Sequence, residues 1–329
     1  MPILAGVLLA GVDRWRRLGV LPSVEEKIAP TVDARFVADM EGITRSLFAG
    51  WYTIASGNLL PAASGHFVML RSVLPGPTSL SHSLASVTGH AALLVGHTML
   101  KLDRRGEAFA QFALAEFLAR EAGDEILRAV VLATRAAMYS PVALGHREGD
   151  SAHALAHLDE AATAAGHQIQ TPSRLRVTVL ARRAEERAAA GDATGVVRDL
   201  EAAHESLAIP SEGIYFGPRN EVELGALRGA CELLLGQHRQ AVTTLHATAE
   251  RMDPSLVAWR AAVLADQGAA LARMGQVDEA CGRLSAALDL ARQAAAADHL
   301  HRIRGVRERD LVRWGDAAPV RQLDEQLAL

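Results

Sequence analysis

The sequence predicts an all-α chain built as an array of helical repeats, and three observations carry that prediction. A small residue, a bulky apolar residue and a second small residue recur five times at offsets zero, four and seven: Ala108/Phe112/Ala115, Ala154/Leu158/Ala161, Val196/Leu200/Ala203, Ala241/Leu245/Thr248 and Ala280/Leu284/Ala287. Successive units are 46, 42, 45 and 39 residues apart, intervals that belong to stacked helical repeats. Five positions ahead of each unit stands Asp103, then Gly149, Gly191, Gly236 and Gly275. Hydrophobic residues make up 50% of the chain but aromatic residues only 4%, so the apolar mass is Ala and Leu, both strong helix formers.

Residues 1–32 read as a lead-in segment broken by Pro22 and Pro30. Its apolar run from Ile3 to Val12 falls short of the ~20 residues that span a bilayer. Arg14, Arg16 and Arg17 follow that run, the reverse of a secretory signal, which carries its charge first. Residues 33–77 are expected to hold two helices, Asp33 to Trp51 and Leu60 to Leu74, the second stopped by Pro75-Gly76-Pro77.

Residues 78–297 then read as five antiparallel helix hairpins. In the clearest, Pro254 to Ala295, the first helix carries Trp259, Leu264, Gly268 and Leu271, and the second Ala280, Leu284 and Ala287. A glycine inside a helix costs ~1 kcal/mol against Ala, which is reasonable where a second helix must approach closely. Gly275, just past the first helix, suits the left-handed conformation that ends one. Residues 298–329 hold two amphipathic helices, Asp298 to Arg313 and Ala318 to Leu327, split by Gly315-Asp316 and suited to capping the last apolar face.

The unit resembles the tetratricopeptide repeat, with a small residue at position 8, Gly at 15, Ala at 20, a large apolar residue at 24 and Ala at 27. The last two hairpins match well. The first three match less closely, with Gly96, Val142 and Ala184 at position 8 and Pro141 interrupting the second unit's first helix. That resemblance implies a right-handed superhelical solenoid of extended hairpins.

The C-terminal stretch Arg307-Glu308-Arg309-Asp310-Leu311-Val312-Arg313-Trp314, followed by Pro319 to Glu325, resembles the end of Xre/Cro-type helix-turn-helix regulators of high-GC bacteria, whose sensor region is tetratricopeptide-like. Leu60 to Leu74 with Pro61, His66 and Arg71, and Arg120-Glu121-Ala122-Gly123-Asp124, fit the same region. The likeness runs over residues 33–329. Family members place a helix-turn-helix ahead of this region, whereas about thirty unrelated residues precede it here, so direct DNA binding is not carried over.

Net charge is −4, without acidic or basic blocks, which argues against a general nucleic-acid surface. Of the 34 basic residues only Lys27 and Lys101 are lysines, the usage expected of a high-GC bacterial genome. Cys231 and Cys281 are the only cysteines and form no C-x-x-C pair, so neither a disulfide framework nor a zinc site is expected, and a reducing cytoplasm fits.

No phosphate loop, dinucleotide fingerprint, H-E-x-x-H or G-x-S-x-G motif is present. No enzyme activity, cofactor or metal is therefore expected. His153 and His157 have the i, i+4 spacing of a ligand pair, but they are expected on the solvated outer layer. Arg302, Arg309 and Arg313 are expected on the solvated side of the capping helix.

In a tetratricopeptide hairpin, positions 2, 5, 9, 12 and 13 of the first helix line the concave groove. In register these supply a mostly apolar surface with isolated polar groups at His90, His97, Lys101, Tyr139, Glu185, Glu223 and Arg273. That composition suits an apolar small-molecule effector or a peptide or protein partner; the competing reading is that these positions pack between neighbouring helices. The sequence thus points to a cytoplasmic ligand- or protein-interaction module related to transcriptional regulators, with homodimerisation as a mode of control. A complete regulator with an upstream helix-turn-helix, and an accessory protein or uncharacterised enzyme of a biosynthetic pathway, are the alternatives.

Overall fold

Helix ends are set by small local devices that repeat along the chain. The computed structural model describes residues 32–51, 53–74, 79–140, 149–166, 172–209 and 220–328. The lead-in up to residue 31, the Pro75-Gly76-Pro77 turn, and Pro141 and Val142 lie outside them. By contact the chain divides into residues 1–32 and residues 33–329, and every helix below belongs to the second unit.

The described residues form fourteen α-helices, one short 3-10 turn and no strand. They are α1 (Ala34–Gly50), α2 (Ser56–Val73), α3 (Ser81–Lys101), α4 (Arg105–Ala122), α5 (Glu125–Tyr139), α6 (Ser151–Gly166) and α7 (Ser173–Ala189), followed by α8 (Ala193–Leu207), α9 (Glu221–Leu234), α10 (His238–Arg251), α11 (Val257–Arg273), α12 (Val277–Gln293), α13 (Ala297–Asp310) and α14 (Ala318–Ala328). None is long and apolar enough to cross a membrane.

Asp33, Asp124, Asp192 and Asn220 cap α1, α5, α8 and α9, each side chain accepting a backbone N–H three residues on. Two details depart from expectation. Helix α2 begins at Ser56, four residues before the expected start, and Pro61 sits within it; this early in the helix a missing N–H removes only one intrahelical bond. The last helical segment also breaks, α13 ending at Asp310 and Val312–Trp314 continuing as the 3-10 turn.

The turn between paired helices is one motif used repeatedly. Gly191, Gly236 and Gly275 have φ of 79°, 76° and 80°. After each, the next residue's N–H returns to the helix: Asp192 to the Arg187 carbonyl, Gln237 to Glu232 and Gln276 to Leu271, at 2.9, 2.9 and 3.0 Å. Asp103 takes the same place with φ 59°, and Arg104 bonds back to Met99 at 2.9 Å. Asp103 is thus a non-glycine residue held in the left-handed region, a position that Asp tolerates better than most.

All fifteen residues of the small-bulky-small pattern are buried. In three of the five units the bulky member fills the space left by a glycine on the partner helix. A Cβ on Gly96 would meet the Phe112 ring at 2.5 Å, one on Gly229 would meet Leu245 Cγ at 2.5 Å, and one on Gly268 would meet Leu284 Cγ at 2.8 Å. The glycines therefore set the separation of α3 from α4, α9 from α10 and α11 from α12. A side chain there forces the pair apart.

The helices form two layers. Each of α3, α5, α7, α9 and α11 packs on the helix that follows it, and the same five also contact one another in succession, α3 on α5, α5 on α7, α7 on α9 and α9 on α11. Helix α13 extends this inner layer beyond α11 and then touches α3. Six inner helices thus return on themselves. The closing contact is carried by His301 of α13, whose Nε2 lies 2.9 Å from Asp103 Oδ2 across 198 residues of sequence. Helices α1 and α2 pack against α3, and α14 packs on α12 in the outer layer.

Candidate functional site

The closed inner layer brings polar side chains from five helices into one small volume, on otherwise Ala- and Leu-rich surfaces. On α3, His97 places Nε2 3.0 Å from Thr134 Oγ1 of α5 and meets the Trp51 and Phe112 rings edge-on, with centroids 5.6 and 5.5 Å away. One turn later, Lys101 is buried. Its Nζ donates to the Trp51 carbonyl at 3.1 Å and stands 3.5 Å from the Trp51 ring centroid, a cation–π contact that fastens the end of α1 to α3.

On α7, Glu185 is buried and accepts from Arg182 Nη1 at 2.7 Å. On the other side of the ring, Arg302 of α13 donates through Nη1 to both carboxylate oxygens of Asp266 of α11, at 2.9 and 2.8 Å. Each side chain of that pair is only 13% exposed. Asp298 and His299, at the start of α13, complete the group, 3.9 Å apart.

These groups share one electrostatic field. Burial holds the His97 imidazole well below the usual histidine value, and Lys101 and Arg182 push it the same way. Burial likewise lowers His299, with Asp298 opposing and Arg302, Lys101 and Arg182 adding to the effect. The Lys101 amine is brought down to about 8 by burial, against the pull of Asp298. Burial raises Asp266, an effect Arg302 opposes and Glu185 reinforces. The Cys231 thiol of α9 is pushed far up by burial, then by Glu185 and Glu232. Arg182 of α7 thus acts on helices on both sides of the closing contact, which requires a narrow centre.

The residues singled out in the sequence are dispersed by this arrangement. His97, Lys101 and Glu185 belong to the shared centre. His90 lies two turns earlier on α3, its Nδ1 3.0 Å from the Ser86 carbonyl. Glu223 is buried in the first turn of α9, its backbone N–H and carboxylate both engaged by the capping Asn220. Arg273 is exposed at the end of α11, pairing through Nε with Asp310 at 3.0 Å and reaching the Leu233 carbonyl at 3.4 Å. Tyr139 is the last residue of α5 and stacks on His153 and His157 of α6, with centroids 4.2 and 5.3 Å away.

Arg182, Asp266, His299 and Arg302 were not in that set. Asp266 had a legible signal, since it is the single acid in the seventeen-residue helix α11. Arg302 reverses an expectation: read as solvated, it is held inward by Asp266, whereas Arg313 lies over the Trp314 ring at 3.8 Å. His153 and His157 pack as rings against Tyr139, and among the described residues no group of three or more His, Cys, Asp or Glu side chains is placed to hold a metal ion.

No known protein family matches the chain, and no curated protein matches it.

Proposed function

We propose that the chain is a non-enzymatic, tetratricopeptide-like sensor module whose closed inner layer binds a small molecule or peptide. The fold would be a right-handed superhelix tight enough to meet itself, and the protein would act in the cytoplasm alongside, or as part of, a transcriptional regulator. The observation that carries this reading is the meeting of His97, Lys101, Arg182, Glu185, Asp266 and Arg302 at the point where inner helices from both ends of the array converge. A ligand that exchanges contacts with these groups changes the balance between closed and open rings, provided it binds one state more tightly than the other.

The test is native mass spectrometry of the protein purified from its own host, with and without the substitution Arg182→Glu. The expected result is a retained molecule of fixed mass on the native chain and its loss from the variant. A bare native chain, with the same collision cross-section before and after exposure to a host metabolite extract, refutes the reading.

A further inference from the structure

The two ends of the helical array are finished differently. A terminal helix in a repeat array needs a polar outer face, because no further repeat covers it. Helix α14 meets that need, exposing Arg321, Gln322 and Glu325. Helix α2, which packs on α1 and α3, does not. Its exposed stripe of Pro61, Ala62, Gly65, Val68 and Met69 carries no charge, and Val68 and Met69 are 39% and 36% exposed. The whole helix holds no acid and a single arginine, Arg71. Gly65 sits within the helix, where it costs ~1 kcal/mol against Ala, yet a Cβ there would meet nothing within 4 Å. Gly96, Gly229 and Gly268 make room for a side chain of their own chain; the room above Gly65 is open to another.

The stripe is also symmetric about Gly65. Pro61 and Ala62 precede it by four and three residues, and Met69 and Val68 follow it by four and three, so all five share one face. Asn58 and Ser72, both exposed, stand seven residues to either side. When two copies of this helix cross antiparallel at Gly65, the two-fold axis sets Val68 against the partner's Pro61 and Met69 against the partner's Ala62. Bulky side chains then meet small ones on both sides of the axis, which is the self-complementarity an isologous interface requires. Asn58 and Ser72 close the ends with polar groups, and no charge on α2 opposes its own image.

We propose that the chain forms a homodimer through α2, two copies crossing antiparallel at Gly65. A single crossing of two helices belongs among interfaces below about 1,200 Å², so the dimer is weak and set by concentration in the micromolar range. The surface is separate from the ring centre, and neither proposal depends on the other.

Sedimentation equilibrium of the full chain, from low to high micromolar concentration, is expected to show monomer passing to dimer. Gly65→Arg sets a long charged side chain at the crossing and should weaken the dimer by at least about tenfold, or ~1.4 kcal/mol. Circular dichroism should stay native, because the position is open on its own chain. Met69→Glu should act in the same direction. Cross-linking reads the register: Cys231 and Cys281 are buried, so Gly65→Cys supplies one accessible thiol at the two-fold axis. A short bismaleimide should join two copies there and leave Gln322→Cys, on α14, unjoined. The proposal is overturned if the native chain stays monomeric throughout, if either charged variant dimerises as tightly as the native chain, or if Gly65→Cys is joined no more than Gln322→Cys.

Discussion

The seams between paired helices and the centre of the inner layer are built on opposite principles. At the seams, Phe112, Leu245 and Leu284 fill the space left by Gly96, Gly229 and Gly268, and the same solution recurs because each pair faces the same problem. At the centre no pattern of positions repeats from helix to helix: α3 supplies His97 and Lys101, α7 Arg182 and Glu185, α11 Asp266, and α13 His299 and Arg302. The seams hold the pairs together by shape, and the centre is held by charges that must compensate one another. Repetition therefore marks what stabilises the fold, and its absence marks where this chain is individual.

The largest effects are expected at the seams. Phe112→Ala deletes a fully buried ring from the α3–α4 seam and should cost ~3–5 kcal/mol, read as a lower denaturant midpoint. Gly268→Ala tests the α11–α12 seam from its small-residue side, since its new Cβ meets Leu284 Cγ at 2.8 Å; a loss of ~1–3 kcal/mol from overpacking is expected, and an unchanged midpoint would show that α11 and α12 can separate freely.

The centre should respond differently. Arg302→Ala leaves Asp266 without its bidentate partner, and stripping one member from a largely buried pair should cost about 3 kcal/mol. Arg302→Met combined with Asp266→Leu should recover most of that loss, because the penalty comes from the uncompensated charge. If the double variant is as unstable as the single, the pair acts by shape and the contrast between the two regions fails.

A smaller effect is expected from acid. His66, His97, His157, His238 and His299 are all lowered by burial below the ordinary histidine value of about 6.5. The unfolded chain then binds more protons, so stability is lost as pH falls from 6.5 toward the lower native values. Asp266, Glu186 and Glu232, raised by burial, act in the opposite sense, since protonation relieves them as pH falls through their native values. The melting temperature should therefore drop between about pH 7.5 and about pH 5.5, and His97→Gln should drop less. In alkali, Lys101 adds stability as pH passes from about 8 to 10.5, where only the unfolded chain still holds that proton, and Cys231 and Cys281, raised by burial, withdraw it once the unfolded thiols ionise.

The smallest change in stability is expected at the closing contact. His301 and Asp103 are 37% and 42% exposed, so His301→Ala should cost no more than ~1 kcal/mol. Its readout is shape: solution scattering should report a larger radius of gyration if this contact keeps the ends together, and an unchanged radius would assign closure to the helix faces alone.

The sequence was legible where a physical requirement recurs. The pattern located the buried residues of every seam, and three of its four leading glycines, Gly191, Gly236 and Gly275, located left-handed turns whereas Gly149 did not, because close approach and positive φ each admit few residue types. It was less legible where the deciding neighbour is distant in the chain. Nothing near Arg302 signals that Asp266 waits 36 residues away, so a helix with arginines along one side reads as solvated. Tyr139 was placed by counting residues, but α5 ends there, and its ring turns to the histidines of α6. Counting locates a residue within a regular helix and fails at a helix end.

Asp103 occupies a place where Gly191, Gly236 and Gly275 show that a residue without a side chain serves the turn better. The exception sits at the one turn that faces His301. An open stack of hairpins can gain or lose a member by duplication or deletion and keep its neighbours' contacts intact. A stack whose last inner helix must reach its first has no such freedom, because one hairpin more or fewer would carry the two ends past each other. The return of α13 to α3 therefore fixes the copy number of the array, and an inserted duplicate of α9–α10 should be rejected by this chain even though each of its seams would be sound.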